Sequence, residues 1–200
     1  MLKILDEDTL EISHGCNQRW YTISWRRLAG CGPTAATNLI IYLYHTRFAS
    51  GSKQGFVTKK ICLALMDEVW EYVTPKLFGL SKTSLFYEGL FSYAKSQGLQ
   101  IEYQFLDLPG DKSCRPGFSK VVNFLEAALL KDAPIAFLNL CNGNETNLES
   151  WHWVTIISVD ARNDNRVFVD ILDDGQIIQI DLSLWYNSTK KGGGFVYITD

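Results

Sequence analysis

The spacing of hydrophobic residues divides the chain into a helical part and a strand-rich part. Apolar residues recur at three- and four-residue intervals in four segments, which predicts helices over about 33–48, 59–73, 82–96 and 118–131. After Pro134, short apolar and β-branched runs predict strands over 135–140, 151–160, 166–172, 176–182 and 193–199. Helices followed by strands predict an α+β fold, with an N-terminal helical layer packed on a C-terminal antiparallel sheet.

Weaker signals complete this pattern. Residues 1–13 alternate as in a short hairpin, 17–30 form a polar and aromatic loop, and 100–106 resemble a strand. Turns are expected at Ser50-Gly51-Ser52, Arg162-Asn163-Asp164-Asn165 and Asp173-Asp174-Gly175. The last of these lacks the oxygen-ligand spacing of a calcium loop, so we interpret it as a hairpin turn.

Length and composition fit a globular protein with a hydrophobic core. The 200 residues, 46% hydrophobic and 20% charged, predict a single domain over 1–200. Within it, residues 1–132 would form a mainly helical lobe and residues 133–200 a sheet lobe. The net charge of −3, with scattered Lys and Arg, gives no basis for nucleic-acid binding.

No segment has the features of a membrane span or a secretion signal. Apolar runs stay short of 18 residues, and the N-terminus lacks a cationic start followed by a long apolar run. We therefore expect a cytoplasmic protein with no membrane partner. The oligomeric state does not follow from the sequence.

The cysteines argue against a disulfide framework and against a metal site. There are five, at wide spacing and with no Cys-x-x-Cys pair: Cys16, Cys31, Cys62, Cys114 and Cys141. His14 and Cys16 alternate as on a strand, but no second pair of ligands accompanies them. We therefore expect no metal and no other cofactor.

Cys31 is the leading candidate for chemistry. It stands in the segment Gly30-Cys31-Gly32-Pro33, and because Pro favours the first helical position, the cysteine should lie just before a helix N-terminus. The positive end of the helix dipole there favours a thiolate, and flanking glycines leave a sulfur accessible. Cys31 is therefore a candidate nucleophile, the alternative being a thiol buried under the helix start.

His152 is the best placed of the three histidines to act as a base for Cys31. His14 lies in the N-terminal region, and His45 falls fourteen residues beyond Cys31 in the same predicted helix. At 1.5 Å per residue that separation is about 21 Å, too far for a hydrogen bond. His152 stands at the start of a predicted strand, between two tryptophans.

Asp170 is the candidate for orienting His152. It lies near the end of the strand that follows the one His152 opens. Because a short turn joins the two strands, we expect them to pair antiparallel, with His152 opposite Asp170. A carboxylate at that place would fix the imidazole tautomer. Alternatively, both residues are ordinary polar residues at strand ends.

Two further groups of residues have candidate roles around this centre. The backbone N–H of Cys31 and a side-chain amide, from Gln18 or Asn17, would stabilise an oxyanion. Four tryptophans would line a substrate groove or else belong to the core: Trp20, Trp25, Trp151 and Trp153.

These residues resemble the papain-like cysteine peptidase superfamily. The helix start Gly30–Ala36, the strand opened by His152 and the following strand with Asp170 are most similar to the bacterial branch that includes the bacteriocin-leader (double-glycine) peptidases. Trp25 stands where that branch usually has its oxyanion glutamine, and Ile171 follows Asp170 where a proline is usual.

The resemblance implies a papain-like fold with the active site between the helical layer and the sheet. It implies that Cys31 is the nucleophile, His152 the general base and acid, Asp170 the orienting residue and Gln18 the oxyanion donor. The expected activity is hydrolysis of a peptide or other amide bond without a cofactor. Acyl transfer, as in transglutaminase-like enzymes, and an inactive peptide-binding module are the alternatives.

Overall fold

The computed structural model describes residues 2–48, 57–76, 79–161 and 166–200. Six helices lie within these ranges: α1 Ser24–Ala29, α2 Cys31–Phe48, α3 Lys59–Trp70, α4 Thr83–Ser96, α5 Phe118–Leu130 and α6 Leu182–Ser188. The strands there are β1 Lys3–Leu5, β2 Ile12–His14, β3 Val57–Thr58, β4 Glu102–Leu108, β5 Ile135–Asn139, β6 His152–Ala161, β7 Val167–Asp173, β8 Gln176–Asp181 and β9 Gly193–Thr199. The predicted α+β class is confirmed.

The main sheet has six antiparallel strands in the order β4-β9-β5-β6-β7-β8. A smaller sheet joins the predicted N-terminal hairpin, β1 and β2, to β3. The edge strand β4 comes from the part of the chain predicted to be mainly helical, and it pairs with the C-terminal strand β9 along its whole length. Both parts of the chain therefore contribute to one sheet.

Helices cover both faces of the main sheet, which makes three layers where the hydrophobic pattern predicts two. Alternate residues of β5 show the division: Ala136 and Leu138 pack with α2 and α4, whereas Ile135 and Phe137 pack with α5 and α6. A strand buried on both faces has no polar face, so its sequence does not show how many layers cover it.

The central helix α2 carries the candidate nucleophile at its first residue. From Gly32 to Ile41 every residue is buried, because the helix packs on β6 on one side and on α3 on another. Its buried polar residue Asn38 accepts a hydrogen bond from the backbone N–H of Cys16 at 2.7 Å and donates one to the Thr155 hydroxyl at 3.1 Å. Asn38 thereby ties the N-terminal segment and the sheet to the same helix.

Most of the predicted elements are present, with ends shifted by a few residues. The region 17–30, expected to be a loop, holds a 3₁₀ turn at Gln18–Trp20 and the helix α1. The helix α6 is an addition to the predicted elements, and Asp181 caps it by accepting from the Leu184 N–H at 2.8 Å. The turns expected at 50–52 and 162–165 lie outside the described residues.

None of the helices in the described ranges is both long and apolar enough to cross a membrane. The five cysteines are free thiols.

Candidate active site

Cys31 lies at the junction of two consecutive helices. Gly30 ends α1, and α2 begins with Cys31, so the thiol lies at the positive end of an 18-residue helix. A Cβ on Gly30 would lie 2.4 Å from the Arg26 carbonyl oxygen and 2.6 Å from the Tyr21 ring. Gly30 is therefore required for the close packing of the helix junction.

The imidazole of His152 lies between Cys31 and Asp173. Its Nε2 is 2.8 Å from Asp173 Oδ1, and Cys31 lines the same cavity and raises the pKa of the ring. Because Nε2 faces the carboxylate, Nδ1 is the nitrogen available to the thiol. His152 is only 7% exposed, so its hydrogen bond to Asp173 is largely shielded from solvent.

The charges around His152 hold a proton on its ring. Burial alone lowers the pKa of His152, but the hydrogen bond to Asp173 and the electrostatic interactions of the ring with Cys31 and Asp173 outweigh it. The pKa of His152 is raised to about 10 from an ordinary 6.5. At neutral pH the ring is therefore an imidazolium, which places a positive charge next to the sulfur.

Asp170 does not contact His152, so the predicted register of the two strands is wrong. β6 extends to Ala161 and β7 starts at Val167, which moves the centre of the connection about three residues beyond the expected position. Asp170 consequently lies opposite Ser158, whose hydroxyl donates to it at 2.7 Å, and Gln179 Nε2 donates to it at 3.3 Å.

The acid next to His152 is Asp173, the first residue of the predicted hairpin turn Asp173-Asp174-Gly175. The turn itself is confirmed: Asp174 and Gly175 connect β7 to β8 with φ of 45° and 80°. Two consecutive positive φ values are typical of a type I′ turn, which favours Asp-Gly. The turn makes Asp173 the last residue of β7, beside the start of β6.

The same turn fixes the segment that carries Gln18. The backbone carbonyl of Asp174 accepts from Asn17 Nδ2 at 2.7 Å, and its carboxylate accepts from Arg19 Nε at 2.6 Å. The backbone N–H of His14 donates to the Gly175 carbonyl at 2.7 Å. The tip of the β7–β8 hairpin therefore holds the residues on both sides of Gln18.

Of the two amides proposed from the sequence, Gln18 is the one that faces the centre. Gln18 lines a small polar cavity together with Cys31, His152 and Asp173, and its Oε1 is buried without a hydrogen-bond partner. Asn17 is engaged elsewhere, because its Oδ1 accepts from the Arg19 N–H at 2.8 Å while its Nδ2 holds Asp174.

Three of the four tryptophans line a groove next to Cys31. Trp25 and Trp151 are about half exposed there, at 54% and 52%, and Trp153 is buried with its Nε1 donating to the Leu80 carbonyl at 2.7 Å. Trp20 instead packs on the cluster around β1 and α3. The groove and the polar cavity meet at Cys31, which lines both.

Within the described part of the chain, no group of three His, Cys, Asp or Glu side chains could hold a metal ion. In comparisons with known proteins, no protein-family model matches this chain, and no curated protein is detectably similar to it.

Proposed function

We propose that this protein is a papain-like cysteine hydrolase that cleaves a peptide or other amide bond. The observation that carries the proposal is the His152 imidazole, which is hydrogen-bonded to Asp173 through Nε2 and lines the same cavity as Cys31. A nucleophile, a base and an orienting carboxylate in this order are the requirements for nucleophilic acyl transfer.

Each residue has one role in the reaction. The Cys31 thiolate attacks the carbonyl carbon, and a tetrahedral intermediate forms with its negative charge on the carbonyl oxygen. The backbone N–H at the start of α2 and the Gln18 amide donate to that oxygen. His152 then gives its proton to the leaving nitrogen, the C–N bond breaks and an acyl–Cys31 thioester remains.

Hydrolysis completes the cycle. The neutral imidazole of His152 takes a proton from a water molecule as the water oxygen attacks the thioester carbonyl. The C–S bond then breaks, the carboxylic acid product leaves, and the Cys31 thiolate is again next to the imidazolium of His152. Asp173 stays hydrogen-bonded to Nε2 of His152 in both steps. This hydrogen bond fixes the orientation of the ring, so that Nδ1 stays directed at the reacting atoms.

The experiment that tests this proposal is cleavage of a pool of synthetic peptides in ¹⁸O-labelled water, analysed by mass spectrometry. We expect new C-termini carrying one ¹⁸O atom, formed by the wild-type chain and absent with Cys31→Ala. Equal cleavage by the two proteins, or none by either, would contradict the proposal. Products joined to an added amine in place of ¹⁸O would indicate an acyltransferase with the same catalytic residues.

A further inference from the structure

The groove next to Cys31 has the size and the lining of a site for an apolar group. Its volume is about 310 Å³, within the range of about 300–1,000 Å³ usual for ligand pockets. The side chains that face it are mostly apolar: Trp25, Leu28, Leu80, Leu140, Trp151 and Trp153. Such a lining takes an aliphatic or aromatic group from water more readily than a charged one.

The position of the groove relative to His152 indicates which side of the scissile bond it serves. His152 donates its proton to the leaving nitrogen, so the leaving group must lie on the imidazole side of the sulfur. The groove is lined by Cys31 but not by His152, whereas the polar cavity is lined by both. The groove therefore lies on the acyl side, where the part of the substrate that becomes bonded to Cys31 is held.

Trp151 forms one wall of the groove in a backbone conformation that is rare for a bulky residue. Its φ is 58°, in the left-handed region, and non-glycine residues in that region occur preferentially at functional sites. The Lys191 ammonium lies 4.4 Å from the centre of the Trp151 ring, a cation–π contact that holds the indole in place. Trp151 is still 52% exposed, so part of its surface is accessible to a ligand.

We propose that the groove binds a bulky apolar side chain, of leucine or phenylalanine size, on the acyl side of the scissile amide, and that Trp151 and Leu28 determine this specificity. The inference rests on the proposed function, because the attack by Cys31 defines the acyl side. A substrate with glycine at that position should react most slowly, because glycine has no side chain to fill the groove. Loss of one apolar contact group changes discrimination by about 10–200-fold.

Peptidyl chloromethyl ketones that differ only in the side chain next to the reactive carbon test this inference. The Cys31 sulfur forms a bond to the methylene carbon and chloride leaves, and peptide mapping by mass spectrometry gives the labelling rate. Iodoacetamide, which has no side chain for the groove, measures the reactivity of Cys31 alone. We expect the leucyl and phenylalanyl reagents to label Cys31 at least about tenfold faster than the glycyl reagent.

Two groove variants and one matched control complete the test. Leu28→Asp and Trp151→Gly should reduce the leucyl-to-glycyl ratio, and Leu130→Asp should not, because Leu130 is exposed on α5, far from the groove lining. Equal or faster labelling by the glycyl reagent would overturn the inference even if Cys31 is highly reactive. Slow labelling by iodoacetamide, with the leucyl preference retained, would instead count against the catalytic role of Cys31 and leave the apolar site supported.

Discussion

His152 Nε2 lies 2.8 Å from Asp173 Oδ1, across the boundary between the start of one strand and the end of its neighbour. The last residue before a tight turn is thereby placed against the ring that faces Cys31. This contact is one cause of the raised pKa of His152, and in the proposed mechanism Asp173 is the acid that orients the ring. The other acid on the same strand, Asp170, has a different partner, the Ser158 hydroxyl.

Replacing Asp173 by Asn should lower the hydrolysis rate by about 10²–10⁴-fold, because the ring loses the charge that stabilises imidazolium and fixes its orientation. Asp170→Asn is the matched control, since it makes the same chemical change on the same strand, and we expect it to leave the rate nearly unchanged. The measurement is kcat/KM on one cleaved peptide. A loss of rate with Asp170→Asn and none with Asp173→Asn would contradict this assignment and would make Asp170 the orienting residue.

The protonation of His152 should be visible directly. With its pKa raised to about 10, the ring stays protonated as pH rises above its ordinary 6.5 and loses its proton only near pH 10. Asp173→Asn removes a hydrogen-bond acceptor and a negative charge, so the pKa should fall. Titration of the imidazole ¹⁵N resonances by NMR measures both values. A wild-type ring already neutral at pH 7 would refute the ion-pair description of the site.

If Gln18 donates to the oxyanion, Gln18→Ala should lower kcat by about 10²–10³-fold with little change in KM, because the donor acts on charge that develops in the transition state. Gln104→Ala, at an exposed position on the edge strand β4, is the control for loss of a glutamine. Unfolding curves of the three proteins should coincide. An unchanged kcat for Gln18→Ala would remove this residue from the mechanism.

The helix junction before Cys31 should tolerate no Cβ. Gly30→Ala forces the new carbon into the Arg26 carbonyl oxygen and the Tyr21 ring, and overpacking of this kind lowers the free energy of unfolding by about 1–3 kcal/mol. Gly117→Ala is the control, because the nearest atom to its new Cβ would be Ser119 Oγ at 4.0 Å. Urea denaturation compares the two. Equal stability of the two variants would show that the junction is not tightly packed.

The elements of the fold were accessible from the sequence because each has a strong local signal. The helix that starts after Cys31 follows from Pro33 and from the apolar spacing behind it, and the Asp174-Gly175 turn follows from its residue types. The number of layers was not accessible, because β5 is apolar on both faces and gives no sign of which helices cover which face.

The pairing of β6 with β7 shows why the orienting acid was misassigned. A register is readable from sequence when one face of a strand is polar. Both faces of β6 are buried at its start: Trp153 and Thr155 lie on one face, and Val154 and Ile156 on the other. The burial pattern therefore does not distinguish the predicted register of β6 and β7 from the observed one. A signal did exist: the Asp174-Gly175 turn makes Asp173 the last residue of β7, and the last residue lies nearest to the start of β6.

The most direct test of the central claim is the rate at which iodoacetamide alkylates Cys31 at pH 6, read by peptide mapping against the exposed thiol of Cys114 in the same molecule. An imidazolium beside the sulfur predicts that Cys31, although less exposed, reacts at least about tenfold faster than Cys114, and that His152→Ala removes the advantage. Slower alkylation of Cys31 than of Cys114, unchanged by His152→Ala, would contradict the account.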